Sequence, residues 1–207
     1  MYATLDSYST FTREREGFSD TEVPHITFII PSIGRPTLVH TLNSLKRMEN
    51  PNWKAIVVFD GLAPTLISDD PRITMVTMEK TGVHNHAGRV RNEGIRRATT
   101  PWVGFVDDDD TLQPTYVTRF HEHVRTSNPD VIIFRMKNSD GRILPREDQT
   151  DFYKNEVGIS FCTKQSHFVS EQLWFEPSAT EDFDLLDRLR AKHKSILISP
   201  HVEYTVR

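Results

Sequence analysis

The chain has 207 residues, which is long enough for one domain with a substantial core, and its formal net charge is −4. The lack of excess Lys and Arg argues against a nucleic-acid-binding protein. The single cysteine, Cys162, excludes an intramolecular disulfide and a multi-cysteine zinc site. No apolar run approaches the roughly 18 residues that span a bilayer, and no leader pattern opens the chain. We therefore expect a cytoplasmic protein without a membrane span.

Strands and helices alternate along the first part of the chain. Residues 1–23 are polar and lack apolar periodicity, so they are predicted to form an N-terminal extension. Apolar runs and helical spacing then predict strands over 26–30, 55–59, 72–76 and 102–106, and helices that begin near Pro36, Arg89 and Pro114. This order indicates βαβ units, and hence an α/β domain with a mostly parallel central sheet flanked by helices.

The second half is less regular. A strand is predicted over 131–134, and the polar, turn-rich segment 135–151 follows it. Ser178 and Glu181 have the spacing of a capping box, which predicts a helix start and gives Glu181 a structural role. A last strand is predicted over 196–198.

Three short polar segments follow predicted strands. They are 32–35, 60–61 and 107–110. Ligands of open α/β sheets bind beyond the carboxyl ends of the strands, so we expect these segments to lie along one rim.

Four consecutive carboxylates, Asp107 to Asp110, form the most unusual of these segments. Two carboxylates about 4 Å apart repel by roughly 4 kcal/mol at an effective dielectric of about 20, so the run either faces water as a turn or holds a cation. In an extended chain, Asp107 and Asp109 would point to one side and Asp108 and Asp110 to the other. Mg²⁺ or Mn²⁺ is the natural guest of such oxygen ligands.

Other candidates have structural alternatives. His84 and His86 could hold a metal, although a surface role is favoured for a histidine pair without further ligands. Trp174 and Phe175 could stack on a sugar, but a core position is at least as good an explanation.

Five motifs occur together in an order that resembles the family 2 type of GT-A glycosyltransferases. They are FIIPSIGRP from Phe28, IVVFDG from Ile56, GRVRNEGI from Gly88, VGFVDDDD from Val103 and TED from Thr180. The resemblance implies one GT-A domain over 24–207, with a nucleotide-sugar half at about 24–112 and an acceptor half at about 113–207.

The resemblance also implies roles for individual residues. Asp182 would be the catalytic base, with Glu181 as its supporting neighbour. The motif Asp107-x-Asp109 would bind the ribose and a divalent metal. The nucleotide-sugar is assigned to Pro31, Ser32, Arg35, Asp60, Arg91, Asn92, Asp107 and Asp108, and the Mn²⁺ or Mg²⁺ to Asp109, Asp110 and His201.

The implied activity is metal-dependent transfer of a sugar, with inversion, from a nucleotide-diphospho-sugar, expected to be UDP-linked. The acceptor could be a glycan, a protein or a lipid. Two alternatives remain open from the sequence. One is a sugar nucleotidyltransferase, although the segment Ser32 to Arg35 is a poor version of its Gly-rich phosphate loop. The other is a binding module that keeps the fold without turnover.

Overall fold

The structure is a computed structural model that describes residues 26–64, 66–81 and 87–207. The predicted extension 1–23 and the pair His84 and His86 lie outside the described residues. No helix within the described ranges is long and apolar enough to cross a bilayer.

The first half of the sheet has four parallel strands: β1 (Ile26–Ser32), β2 (Trp53–Asp60), β3 (Ile73–Met78) and β4 (Trp102–Phe105). All seven residues of β1 are buried, as expected for a strand covered on both faces. Strand β1 continues through Pro31, which lies opposite Val58 of β2. All four predicted strands are confirmed, and each ends at the same edge of the sheet.

Helices cover this half of the sheet. They are α1 (Leu38–Lys46), α2 (Ala87–Arg97) and α3 (Tyr116–Ser127). Helix α1 buries Leu38, Leu42 and Leu45 along the face predicted by their spacing. Helix α2 packs closely on β1 at Gly94. A Cβ at this position would lie only 2.6 Å from Ile29 Cγ2, so the close packing requires glycine.

The second half of the sheet mixes strand directions. It contains β5 (Thr111–Leu112), β6 (Val131–Lys137), β7 (Ile143–Leu144), β8 (Phe161–Lys164) and β9 (Ile196–Thr205). The described strands form one sheet in the order β3-β2-β1-β4-β8-β6-β9-β5, with β7 paired to β6. Strand β8 is antiparallel to both β4 and β6. The short helix α4 (Ser166–Val169) and the helix α5 (Glu181–Ala191) complete the fold.

Strand β9 is longer than the predicted segment 196–198. It runs parallel to β6 and then pairs antiparallel with β5, so that Tyr204 lies opposite Leu112. The sequence pattern stops at Pro200, where the apolar run is interrupted. In the structure β9 continues to pair with β6 beyond this proline, with register shifts on the β6 side between Ile133 and Met136. The end of β9 is thereby brought beside the acidic run.

Candidate active site

A cleft opens at the carboxyl ends of the parallel strands. Its lining comes from the loop after β1, the end of β2, the start of α2 and the acidic run: Pro31, Ser32, Ile33, Arg35, Asp60, Ala87, Val90, Asp107 and Asp108. The three strand-end segments therefore lie along one rim, as the sequence predicted.

Asp60 is fixed at the end of β2. Its carboxylate accepts hydrogen bonds from the backbone N–H and the hydroxyl of Thr81, at 2.8 and 2.9 Å. Gly61 follows with a φ of 74°, and a Cβ there would lie 2.9 Å from Lys80 Cα. Only glycine suits this turn, because its φ is left-handed and the Lys80 backbone is adjacent.

Asp108 faces the loop after β1. Its side chain is buried and accepts hydrogen bonds from Ser32 Oγ at 2.8 Å and the Ile33 N–H at 3.2 Å. Arg35 Nη1 donates to the same carboxylate at 2.9 Å. Asp108 thus faces the loop after β1, as its predicted separation from Asp107 and Asp109 implied, and it holds the loop that carries two predicted nucleotide contacts. The alternation is wrong for Asp110, which joins Asp107 and Asp109 instead of Asp108, because the run forms a turn in which the Asp110 N–H donates to the Asp107 carbonyl at 3.2 Å.

Arg35 connects this loop to the acidic run. Its Nη1 also lies 2.8 Å from Asp109 Oδ2, and its side chain is 45% exposed. Burial raises the pKa of Asp109, the Arg35 charge opposes that rise, and the charges of Asp107 and Asp108 add to it. The guanidinium therefore partly compensates a group of crowded carboxylates.

Asp107, Asp109 and Asp110 form a group of oxygen donors. One carboxylate oxygen from each lies within 4.8 Å of the others. Three hard anionic ligands at this spacing suit Mg²⁺ or Mn²⁺, which favour carboxylates, water and substrate phosphates. The donor set therefore fits the cation expected from the sequence.

Asp110 is the buried member of this group. Burial raises its pKa to about 6, although hydrogen bonds from Tyr204 and the Arg207 N–H oppose the shift. Burial also raises the pKa of Tyr204, so its hydroxyl keeps the proton that it donates. Tyr204 was missed by the sequence argument, because a residue 94 positions away carries no local signal of this contact.

Arg91 lies at the centre of a second cluster. Its side chain is 3% exposed, and Nη2 lies 2.6 Å from Asp107 Oδ1. Its Nη1 lies 2.5 Å from Glu181 Oε1 and 3.5 Å from Asp182 Oδ1. Burial alone would lower the pKa of Arg91, but the three carboxylates outweigh it and raise the pKa. One buried cation thus joins the acidic run to the start of α5.

The predicted capping box is wrong. The N-cap of α5 is Thr180, which makes no side-chain capping bond, and Ser178 Oγ accepts a hydrogen bond from the Thr180 N–H instead. Glu181 turns away from its own helix and accepts from the Gly88 N–H at 2.9 Å and from Arg91. The long-range ion pair thus replaces the local bond that the spacing suggested.

Asp182 lies beside Glu181 with its side chain 25% exposed. Burial raises its pKa to about 6, the Arg91 charge opposes the rise, and Asp107 and Glu181 add to it. A carboxylate with this pKa is ionised at neutral pH and can accept a proton.

Asn92 and Phe175 form a packing contact beside this cluster. The Asn92 amide donates to the Phe175 carbonyl at 2.8 Å and accepts from its N–H at 3.0 Å. Phe175 is buried against Phe105, Phe161 and Phe168, as the core alternative held. Trp174 instead stacks against Arg96, with 4.8 Å from the guanidinium carbon to the ring.

His201 is not brought to the acidic group. Its ring lies 6.0 Å from that of His123 on α3, and the three clustered ligand residues do not include it. Burial and the nearby Arg119 charge lower the pKa of His201. Its position in the middle of β9 explains the separation, because the strand reaches the acidic run only at Tyr204 and beyond.

A known protein family matches most of the chain. The model of "Glycosyl transferase family 2" matches residues 27–180. This range includes the loop after β1, the end of β2, the acidic run and the segment that leads into α5. The chain belongs to glycosyl transferase family 2. The family match favours the transferase over the nucleotidyltransferase alternative.

Individual family relatives match parts of the chain. The succinoglycan biosynthesis protein ExoO of Rhizobium meliloti is 27% identical over 131 residues, 59% of this chain and 37% of that protein. The putative glycosyltransferase EpsH of Bacillus subtilis is 30% identical over 103 residues, 46% of this chain and 29% of that protein. The chain thus spans well under half the length of these two relatives.

Solved structures agree on the GT-A fold. TarS 1–349 of S. aureus has a TM-score of 0.68 and 17% identity, covering 87% of this chain and 60% of that chain. The mannosyltransferase PcManGT of Pyrobaculum calidifontis, solved with GDP-Man and Mn²⁺, has a TM-score of 0.63 and 13% identity, covering 90% and 57%. At these identities the likeness establishes the fold alone.

Proposed function

We propose that this family 2 domain transfers a sugar from a nucleotide-diphospho-sugar to an acceptor hydroxyl, with inversion at the anomeric carbon and with a divalent cation. The observation that carries the proposal is the Arg91 bridge. It joins Asp107, in the acidic run, to Asp182, the candidate base, at 2.6 and 3.5 Å. One side chain therefore contacts both the acidic run at the cleft and the carboxylate that we assign as the base.

The donor would bind along the rim. Asp60 would contact the nucleobase of the donor, and the loop of Pro31, Ser32 and Arg35 would contact the rest of the nucleotide. Asp108 would act by holding that loop, and Asn92 by holding Phe175. Among proteins with this fold, TarS has been solved with UDP-GlcNAc and PcManGT with GDP-Man. We propose a UDP-linked donor and compare it directly with a GDP-linked one below.

The cation would be held by Asp107, Asp109 and Asp110, whose ligand atoms are suitably close. Bound there, Mn²⁺ or Mg²⁺ would stabilise the charge of the leaving diphosphate as a Lewis acid. Arg91 would remain with Asp107 and orient it. Its burial and its three carboxylate partners make direct contact with a diphosphate less suitable than this orienting role.

Asp182 would act as general base. It would remove the proton of the acceptor hydroxyl as the oxygen attacks the anomeric carbon, while the nucleoside diphosphate departs from the opposite face. This single displacement inverts the anomeric configuration and forms no covalent enzyme intermediate. Glu181 would keep Arg91 and the start of α2 in place, since it accepts from both.

A donor panel tests binding. UDP-, GDP- and ADP-linked sugars are titrated calorimetrically with Mn²⁺, with Mg²⁺ and with a chelator. We expect a UDP-linked donor to bind in a cation-dependent manner, and Asp109→Ala to remove that dependence. The absence of binding by every donor under all three conditions would refute the proposal.

Replacement of the base tests turnover. With the donor from the panel, we expect Asp182→Asn to slow release of the nucleoside diphosphate by about 10²- to 10⁴-fold and to change donor affinity only a few-fold. The matched control is Asp184→Asn in the same helical turn, where the carboxylate contacts Thr180 Oγ1 at 3.3 Å. Donor binding without turnover in the wild-type protein, with all acceptor classes tried, would favour the binding-module alternative.

A further inference from the structure

The hydroxyl of Tyr204 occupies a defined place behind the acidic run. The side chain is fully buried, and its oxygen lies 2.7 Å from Asp110 Oδ2 and 3.2 Å from the Asp107 nitrogen. A backbone N–H can only donate, so the hydroxyl accepts from Asp107 and donates its single proton to Asp110. One atom thus links the first and last acids of the run.

The Asp110 carboxylate is held at both oxygens. While Tyr204 donates to Oδ2, the Arg207 N–H donates to Oδ1 at 3.1 Å. The backbone is also restrained, because Thr41 Oγ1 donates to the Asp110 carbonyl at 2.7 Å. Asp110 therefore has a fixed orientation relative to Asp107 and Asp109.

Such restraint opposes the mutual repulsion of the acids. Three carboxylates with ligand atoms within 4.8 Å of one another would separate if their side chains were free to rotate. Hydrogen bonds to ligating groups generally orient them, and their loss weakens metal affinity by 10- to 100-fold. The donors to Asp110 come from β9 and the residues that follow it, which lie far from the acidic run in sequence.

We propose that Tyr204 is a positioning residue, which sets the orientation of Asp110 relative to Asp107 and so prepares the acidic group for a divalent cation. The role rests on the proposed function, because it assumes that this group binds the cation. It requires no contact between Tyr204 and the cation or the donor.

Tyr204→Phe tests the role, because it removes the hydroxyl and keeps the ring. Mn²⁺ affinity is measured by electron paramagnetic resonance of the free ion, with and without UDP. We expect affinity to fall by about 10- to 100-fold. The matched control is Tyr116→Phe, since Tyr116 is also fully buried but its ring packs against Phe28 and Phe134 instead of lying beside the acidic run. We expect wild-type Mn²⁺ affinity from this control.

A double variant separates positioning from general destabilisation. If Tyr204 acts through Asp110, Tyr204→Phe combined with Asp110→Asn will bind Mn²⁺ no more weakly than Asp110→Asn alone. Arg207→Pro provides a second approach, because it removes the other donor to Asp110 at an exposed position. We expect it to weaken Mn²⁺ binding a few-fold, and this variant decides the question if Tyr204→Phe does not fold.

Two results contradict the inference in different ways. Wild-type Mn²⁺ affinity in Tyr204→Phe and Arg207→Pro, together with loss of binding in Asp109→Ala, would refute the positioning role and leave the cation site intact. Absence of Mn²⁺ binding by the wild-type protein, with and without UDP, would refute both the cation site and the role of Tyr204.

Discussion

Two arginines neutralise the same acidic run in different surroundings. Arg35 lies at the mouth of the cleft, 45% exposed, between Asp108 and Asp109. Arg91 lies beneath it, 3% exposed, between Asp107 and the two acids that begin α5. Both arginines oppose the repulsion that the four consecutive carboxylates create. Water can compete for the guanidinium of Arg35 but not for the buried guanidinium of Arg91.

This difference assigns the two residues different tasks. An exposed ion pair contributes about 0–1 kcal/mol and can be exchanged for another partner at little cost. A buried pair that loses one member leaves uncompensated charge away from water, which costs about 3–5 kcal/mol. Arg91 is therefore suited to fixing Asp107 and Asp182 in place, and Arg35 to releasing Asp109 when a cation or a diphosphate arrives.

The largest expected effect follows from removing the buried cation. In Arg91→Met, three carboxylates lose their shared partner, so we expect the free energy of unfolding to fall by about 3–5 kcal/mol. Urea denaturation at pH 7 measures it. Arg89→Met is the control, because Arg89 is an exposed residue of the same helix. Equal stability of the two variants would show that the buried cluster does not depend on Arg91.

The second prediction concerns the base that the buried arginine holds. Burial raises the pKa of Asp182 to about 6, so the carboxyl is protonated below that pH and cannot accept the acceptor's proton. We expect kcat/KM to be level above about pH 6 and to fall about tenfold for each pH unit below it. An ordinary aspartate would lose activity only near its usual pKa of 3.8.

A control distinguishes loss of the base from loss of the donor site, whose acids titrate in the same range. Donor affinity is measured by calorimetry at each pH. A fall in kcat/KM that is fully matched by a fall in donor affinity would assign the titration to the acidic run, where burial raises the pKa of Asp110 to about 6. A fall in turnover of bound donor would assign it to Asp182.

The rim at the strand ends was more predictable from sequence than the Arg91 cluster behind it. Local apolar runs identify strands β1 to β4, and parallel strands bring their carboxyl ends together, so the positions of Asp60 and the acidic run followed. Alternation along an extended chain correctly separated Asp108 from Asp107 and Asp109, but it wrongly grouped Asp110 with Asp108, because the run turns after β4. These inferences needed only neighbours in the chain.

Contacts between residues far apart in the sequence could not be predicted from local patterns. Glu181 has the spacing of a local cap but pairs with Arg91, 90 positions earlier. Tyr204 lies near the end of the ten-residue strand β9, which the sequence pattern does not predict because Pro200 interrupts its apolar run. The position of His201 depends on how far β9 runs before it reaches β5. Long-range charge pairing and strand register decide these contacts, and neither leaves a local pattern.

The smallest expected effect concerns the exposed arginine. Because Arg35 Nη1 lies 2.8 Å from Asp109 Oδ2, it competes with a cation for that oxygen. We expect Arg35→Gln to raise Mn²⁺ affinity a few-fold without nucleotide and to lower nucleotide affinity. The free energy of unfolding should change by less than about 1 kcal/mol, because the buried Asp108 carboxylate keeps its hydrogen bonds from Ser32 and Ile33. The gain should shrink at high salt, which screens exposed charges.

Arg119→Gln is the matched control, since Arg119 forms an exposed pair with Glu122 at 2.8 Å on α3. Metal titration by paramagnetic resonance and nucleotide titration by calorimetry follow the two affinities separately. A large loss of stability in Arg35→Gln would place Arg35 with Arg91 as a structural cation. Unchanged affinities for both ligands would show instead that Arg35 influences neither binding equilibrium. A group shifts such an equilibrium only if it interacts differently with the free and the bound state.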